Sequence, residues 1–389
     1  MEKPLWMICI THMFIEVYLL MQVALIPVII REFQLSLLEA SLVATIPSLI
    51  TLLMNIPSGF LADRFSARHL LFASMLIEGL STFLVSQTNS FWTLVLGVSL
   101  LKISSPIYHI SGLSQLSRMA KPKQISRSIG FHNALGNLGS AGGLVTLTVF
   151  LSTMGWRLTY LFWTLPILSW GFILLKSSQF KAKRAAQAEH SENRGRLSRV
   201  SLIFSSGFLV LLVVIGVREL GATGSSTFMT TYFVDARGLT EATASLIFSL
   251  GPFVGIIGSI GGGYLGERMG AKKALGWAIL GCAISLLVLS LTSQLYLLTL
   301  IYLFYSFFNS ALWSPMNTIV ANVTPETERG MSYSVYFFTE GLIASIAPTV
   351  AAGVIELTDV WFIFPFSVVF LITSVIILKF LQLSQPTIR

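Results

Sequence analysis

The sequence predicts an all-α membrane protein with twelve transmembrane helices in two pseudo-symmetric six-helix halves and both termini cytoplasmic. Three observations predict it. Of 389 residues, 54% are hydrophobic and 11% charged, and mean hydropathy is +0.78; soluble domains carry about 25% charged residues, so a water-exposed fold would lack polar surface. The apolar residues fall in continuous runs near the ~20 residues that a helix needs to cross a ~30 Å hydrocarbon core. A short charged hairpin occurs twice. Gly59-Phe-Leu-Ala-Asp63-Arg64-Phe-Ser-Ala-Arg68 returns, altered, as Gly263-Tyr-Leu-Gly-Glu267-Arg268-Met-Gly-Ala-Lys272, and both 263 minus 59 and 267 minus 63 give 204.

In chain order the expected spans lie near 6–31, 40–62, 69–87, 91–116, 128–151, 157–176, 200–234, 240–266, 274–291, 295–320, 330–353 and 359–381. A β-barrel would need alternating strands of about half this length. The first span follows Met1-Glu-Lys-Pro with no small-residue cleavage site, so it reads as a retained helix rather than a signal peptide. The seventh run is long, and a break or tilt is expected near Gly216, Gly221 and Gly224, leaving Arg218 hydrated. Cys9 and Cys282 lie inside separate spans and make neither a disulfide framework nor a metal site.

Loop charges set the orientation, because basic residues concentrate in cytoplasmic loops. Arg64 and Arg68 follow the second span; Arg118, Lys121, Lys123 and Arg127 follow the fourth; Arg268, Lys272 and Lys273 follow the eighth. The opposite loops are lean or acidic, with Glu32 and Glu39, then Asp235, Arg237 and Glu241, then Glu356 and Asp359. The net charge of +8 is therefore explained by the membrane, and nucleic acid is not an expected partner. Residues 177–199 form a basic cytoplasmic linker between halves 1–176 and 200–389, suited to lie against anionic headgroups.

The repeated hairpin suggests a cytoplasmic gate built from Gly59, Asp63, Arg64 and Arg68 in one copy and Glu267, Arg268 and Lys272 in the other. Its pattern, Gly-x-Leu-Ala-Asp-Arg with a later base, resembles the hallmark loop of the major facilitator superfamily; Ser66 and His69 depart from it. The resemblance covers the whole chain. It implies a secondary transporter of the plasma membrane, expected as a monomer, with a small-molecule substrate held between two halves that alternate in access. A narrower resemblance rests on His12-x3-Glu16-x-Tyr18, Tyr108-His109 and the helix-five segment from Gly130 through His132 to Gly139. It is similar to the fosmidomycin-resistance type of bacterial efflux transporter. Glu16 stands for that group's aspartate, Ile110 for its proline, and Gly142-Gly143 where antiporters usually carry Gly-Pro.

Ionisable residues at mid-bilayer cost about 2.5–3.5 kcal/mol on insertion scales and mark functional sites. With 1.5 Å of rise per residue, Glu16, Glu78, Lys102 and Glu340 fall near the middle of their spans, and His12 sits one turn before Glu16. Glu16, His12, Glu340 and Glu219 are the proton-coupling candidates. Arg218, Lys102, Tyr18, His109, His132 and Asn309 are the substrate-binding candidates, although a structural hydrogen bond would also account for His109 and His132. Two central bases, Lys102 and Arg218, suit a carboxylate or phosphonate. Glu78 has no assigned role beyond an internal ion pair.

Proton-coupled export of a small organic compound is the leading expectation. An importer or facilitator of an organic anion is the alternative within the class. A channel would want a ring of like residues and a filter loop. An enzyme would need clustered ligands or nucleophiles near one surface, and an ATP-driven pump a Gly-x4-Gly-Lys-Ser/Thr loop, which the chain lacks. No cofactor is expected.

Overall fold

A computed structural model describes residues 3–35, 37–177 and 206–382. Residues 178–199 of the expected linker lie outside them. Every long element among the described residues is helical: α1 (Lys3–Glu16), α2 (Met21–Phe33), α3 (Leu37–Arg64), α4 (Ala67–Ser86), α5 (Phe91–Met119), α6 (Ile125–Thr153), α7 (Trp156–Lys176), α8 (Ser206–Thr227), α9 (Glu241–Ser249), α10 (Gly251–Met269), α11 (Ala271–Leu291), α12 (Leu295–Ala311), α13 (Trp313–Val323), α14 (Arg329–Leu357) and α15 (Ile363–Leu378). Among the described residues, eleven stretches are long and apolar enough to cross a membrane.

The expected first span is divided into α1 and α2. At the division Val17 N–H reaches Phe14 O (3.3 Å) and Leu19 N–H reaches Glu16 O (3.1 Å), three-residue steps that tighten the chain. The Ser140 hydroxyl donates to the same Glu16 carbonyl at 3.1 Å, supplying a bond from outside the helix.

Prolines account for other local features, since proline cannot donate to the carbonyl four residues earlier. Inside a bilayer that carbonyl needs another donor. Pro252 forgoes the bond to Phe248 O, which Tyr302 Oη donates to at 3.0 Å, beside the α9–α10 junction. Pro106 forgoes the bond to Lys102 O, which Thr51 Oγ1 approaches at 3.4 Å. Pro315 follows the α12–α13 junction at Leu312.

The chain forms two compact units. The first holds residues up to Ala120, then Leu135–Arg199 and Glu326–Val335; the second holds Lys121–Ala134, Val200–Pro325 and Tyr336–Arg389. Each unit repeats one packing scheme. In the first, α3 packs on α5, and α4 packs between α5 and α7; in the second, α10 packs on α12, and α11 packs between α12 and α15.

The seventh run behaves differently from expectation. Helix α8 continues through Gly216, Gly221 and Gly224 and ends only at Thr227. Gly221 is needed for close packing rather than for a break, because a Cβ there would sit 2.9 Å from Ser367 O on α15. Arg218 is consequently buried, at 2% exposure, instead of hydrated.

Candidate functional site

Helix α1 carries Leu, Ile, Met and Trp around two polar positions one turn apart, His12 and Glu16. Residues four apart share a helix face, so both side chains meet α5, where Pro106 is followed by Tyr108-His109. One carboxylate oxygen, Glu16 Oε1, lies 3.3 Å from His12 Nε2 and 3.0 Å from His109 Nε2. The His12 ring stacks on Tyr108 (5.6 Å between centroids, 14° between planes), and Tyr108 is anchored through its hydroxyl to Ile8 O at 2.7 Å. On α6, Gly136 leaves space that the ring needs: a Cβ there would stand 2.4 Å from His12 Cε1.

Three ligand-capable atoms thus converge from His12, Glu16 and His109, all within 4.8 Å of one another. The i, i+4 pair was legible in the sequence, but the convergence of His109 on it depends on how α1 meets α5. Tyr18, two residues further on, turns elsewhere and stacks on Tyr160 at 5.0 Å with its hydroxyl buried. His132 belongs to the other unit and contacts Asn133 Oδ1 at 3.0 Å. Glu78 is fully buried on α4 and accepts a bond from Ser104 Oγ at 2.7 Å. Its ion pair is absent among the described residues, and Oε1 has no hydrogen-bond partner there. Lys102 sits within electrostatic range of both Glu16 and Glu78.

The second unit has its own buried charge cluster. On α8, Arg218 Nη1 donates to Glu219 Oε2, and Nη2 donates to Asn309 Oδ1 on α12 at 2.9 Å. The guanidinium lies 5.2 Å from the Trp313 ring centroid, a cation–π distance. Thr223 Oγ1 donates to the other Glu219 oxygen. Glu340 of α14 lies within electrostatic range of Arg218 and Glu219. Tyr336 lies close enough to interact with it, and neither Glu340 Oε2 nor the Tyr336 hydroxyl, both buried, has a hydrogen-bond partner of good geometry among the described residues. One guanidinium therefore faces two carboxyl groups. Glu219 and Glu340, expected as proton-coupling candidates, thus lie beside Arg218 and Asn309, expected as substrate-binding ones. Trp313 belongs to the aromatic stretch of Tyr302, Tyr305, Phe307 and Phe308 that the sequence offers ahead of Pro315, whereas Tyr336 is indistinguishable there from a packing aromatic.

The two hairpins differ. Asp63 Oδ1 accepts from Arg118 Nη2 (3.0 Å) and the Gly330 N–H (2.9 Å), and Oδ2 from the Met331 N–H (2.9 Å). It therefore caps the N-terminus of α14, where backbone N–H groups lack helical partners and the helix dipole favours an anion. Arg118 also donates from Nε to Glu326 O at 2.8 Å. Among the described residues Glu267 is approached by Arg127 Nη1, at 3.5 Å, and its Oε2 has no hydrogen-bond partner there. Arg64, Arg68 and Arg268 have no ion pair among the described residues, whereas Lys272 donates to the carbonyls of Lys379 and Leu381 at 2.9 and 2.7 Å. The bases that meet the two acids are Arg118 and Arg127 rather than the bases within the hairpins. The glycines, in contrast, are equivalent. A Cβ at Gly59 would sit 2.5 Å from Ser334 Cβ, and one at Gly263 would sit 2.7 Å from Ser126 O.

Comparison with known proteins places these features in a family. The model described as Major Facilitator Superfamily matches residues 7–348 and 211–388. The nitrite extrusion protein of Bacillus subtilis is 24% identical over 280 residues, 71% of this chain and 68% of that one. The fosmidomycin resistance protein of Escherichia coli is 22% identical over 294 residues, 74% and 70% of the two chains. Among solved structures, the proton:xylose symporter XylE superposes with a TM-score of 0.79 at 13% identity, covering 98% of this chain and 96% of that one. An outward-facing bacterial homologue of the iron transporter ferroportin gives 0.76 at 15% identity, with 97% and 99% covered. At such identities the structural likeness concerns the fold.

Proposed function

The chain belongs to the major facilitator superfamily, and from that premise we propose that it exports a small organic compound in exchange for protons by alternating access. It is a multi-pass membrane transporter of small solutes and not an enzyme. In this reading the divided first span counts as one crossing, giving twelve, with six in each of the halves 1–176 and 200–389 and both ends in the cytoplasm.

The observation that carries proton coupling is the excess of buried acid around Arg218. Glu219 and Glu340 share one guanidinium, and a buried carboxylate without a compensating charge is costly. The second carboxyl is supplied with a proton or gives way to a rearrangement. Substrate arriving at Arg218, Asn309 and Trp313 would change that balance, which links solute and proton movement. Asp63 with Arg118 would hold one conformation through the α14 cap, and its release would belong to the transport cycle. Lys102 and His109 remain substrate-side candidates in the first unit.

Proteoliposomes test this. The names of the relatives make fosmidomycin and nitrite the first solutes to try. Fosmidomycin flux should follow an imposed pH gradient, and Glu340→Gln should cut gradient-driven flux at least ~tenfold, about 1.4 kcal/mol, while leaving solute exchange without a gradient. Flux in wild type that ignores the gradient removes the proton. The anion-import reading is favoured by the nitrate-transporter names among the relatives; uptake of nitrite into right-side-out vesicles, with no fosmidomycin protection in growing cells, would replace export by import.

A further inference from the structure

We propose that His12, Glu16 and His109 form a binding site for a divalent first-row transition-metal ion. The donor set is two imidazoles and one carboxylate, which suits ions such as zinc, iron and nickel and not calcium or magnesium. The spacing supports it. With metal–donor bonds of about 2.0–2.2 Å, neighbouring donors around one ion stand about 3.0 Å apart at right angles and about 3.4 Å apart in a tetrahedron. The two separations from Glu16 Oε1, 3.3 Å to His12 Nε2 and 3.0 Å to His109 Nε2, are edges of such a polyhedron. The remaining edge, His12 to His109, is no longer than 4.8 Å. Closing it to a tetrahedral edge takes at most about 1.4 Å of ring movement on the same geometry. His109 has room to make it, with 21% of its side chain exposed against 8% for His12.

The surroundings hold the site in place. His12 is set between the Tyr108 face and Gly136, and Tyr108 is tied to the α1 backbone. Such support for ligand side chains is what a built metal site requires. Glu16 brings one negative charge to the ion. Lys102, within electrostatic range of Glu16 and Glu78, stands two turns before His109 on α5. Three protein ligands leave coordination positions open, the pattern of an exchangeable ion rather than of a structural one. The ion would be cargo or travel with it.

The site can be tested without any flux measurement, so its failure and that of proton-coupled export are separable. Untagged full-length protein in lipid nanodiscs is stripped with chelator and titrated with cobalt(II), followed by zinc(II) competition. One cobalt per chain, with a ligand-field spectrum that chelator abolishes within minutes, is expected. His12→Gln, His109→Gln and Glu16→Gln should each weaken binding at least ~tenfold, and His69→Gln, exposed at the start of α4, should leave it unchanged. His109→Asp, which keeps a ligating atom, should restore part of the affinity lost in His109→Gln. Thermal unfolding of the metal-stripped variants separates loss of ligand from loss of fold. No cobalt spectrum in the wild type, or one that persists in the doubly substituted His12→Gln/His109→Gln protein (an adventitious ion only), overturns the proposal.

Discussion

Among the described residues, three donors converge on the Asp63 carboxylate, two of them from the start of a helix, whereas at Glu267 a single arginine stands 3.5 Å away. The surrounding architecture is shared. Each acid ends a helix that carries a close-approach glycine four residues earlier, and each glycine abuts a serine of a helix start, Ser334 or Ser126. The duplicated sequence thus preserved the steric contact in both copies but the electrostatic one in only the first. Exposure follows the same division: the Asp63 and Arg118 side chains are 16% and 12% exposed, whereas Arg127 is 45% exposed. A carboxylate shielded from water interacts more strongly with its partners, and an exposed pair contributes about 0–1 kcal/mol.

Breaking the stronger contact should have the largest effect. Asp63→Ala strands Arg118 and two backbone donors, a loss of about 3–5 kcal/mol for a largely buried pair, and should disfavour the conformation in which 326–335 packs with the first unit. Ser334 is buried and donates to Asn55 O at 2.7 Å. A Ser334→Cys reporter should therefore react with a thiol reagent more than ~100-fold faster once Asp63 is gone, as 3–5 kcal/mol implies. An unchanged labelling rate would reduce Asp63 to a topology marker.

The shared contact should respond alike in both copies. Gly59→Val and Gly263→Val each force a branched side chain against a neighbouring helix and should cost about 1–3 kcal/mol, read as a lowered thermal midpoint in detergent. A large drop for one and none for the other would show that the steric equivalence is superficial. Glu267→Gln should cost no more than about 1 kcal/mol, with a Ser126→Cys reporter labelled at nearly the wild-type rate. Fast labelling there would make the second hairpin a lock equal to the first.

The smallest effect concerns the other end of the first unit. Glu32 accepts from Arg157 Nη2 at 2.5 Å and from Trp156 Nε1 at 2.7 Å. Partial burial alone would raise its pKa, but these bonds outweigh it and hold the carboxyl below its ordinary value. A lowered carboxylate stabilises the fold above the unfolded value, about 4.3, and that contribution disappears as the pH falls through the folded value. Glu32→Gln should flatten the acid limb of the thermal midpoint plotted against pH. An identical limb in wild type and variant would mean the contact contributes nothing.

Much of this was legible in the sequence because membranes impose one-dimensional rules. Run length placed the unbroken spans within a few residues, as at 157–176 against Trp156–Lys176, but missed the division of the first and carried the seventh past Thr227; the hairpin offset pointed to the duplication. Partners remote along the chain were not legible. Asp63 reads as the partner of Arg64 or Arg68, yet a base on its own hairpin competes with water, while Arg118, 55 positions away, is brought in by the packing of α3 on α5. The glycines of α8 illustrate the same gap. Glycine permits either a break or a close contact, and only the presence of α15 against Gly221 decides which. His12 and Glu16 announced themselves by helical spacing; His109 joined them through a second helix. Composition cannot show where a carbonyl forgone by proline finds its replacement donor.

The division after Glu16 sets the gearing of that site. Helix α1 has 14 residues, about 21 Å of rise, and is separated by four residues from the start of α2 at Met21. Its backbone lies against α6, where a Cβ at Gly139 would clash with Met13 O, so a turn about its axis would be set by that contact and not by α2. Side-chain tips ride about 5–6 Å from a helix axis, so a rotation of about 20° would carry the Glu16 carboxylate through roughly 2 Å of arc. Hydrogen bonds and coordination bonds both fail over that distance. A short rotor of this kind turns a small angular displacement into an all-or-none change in what Glu16 holds.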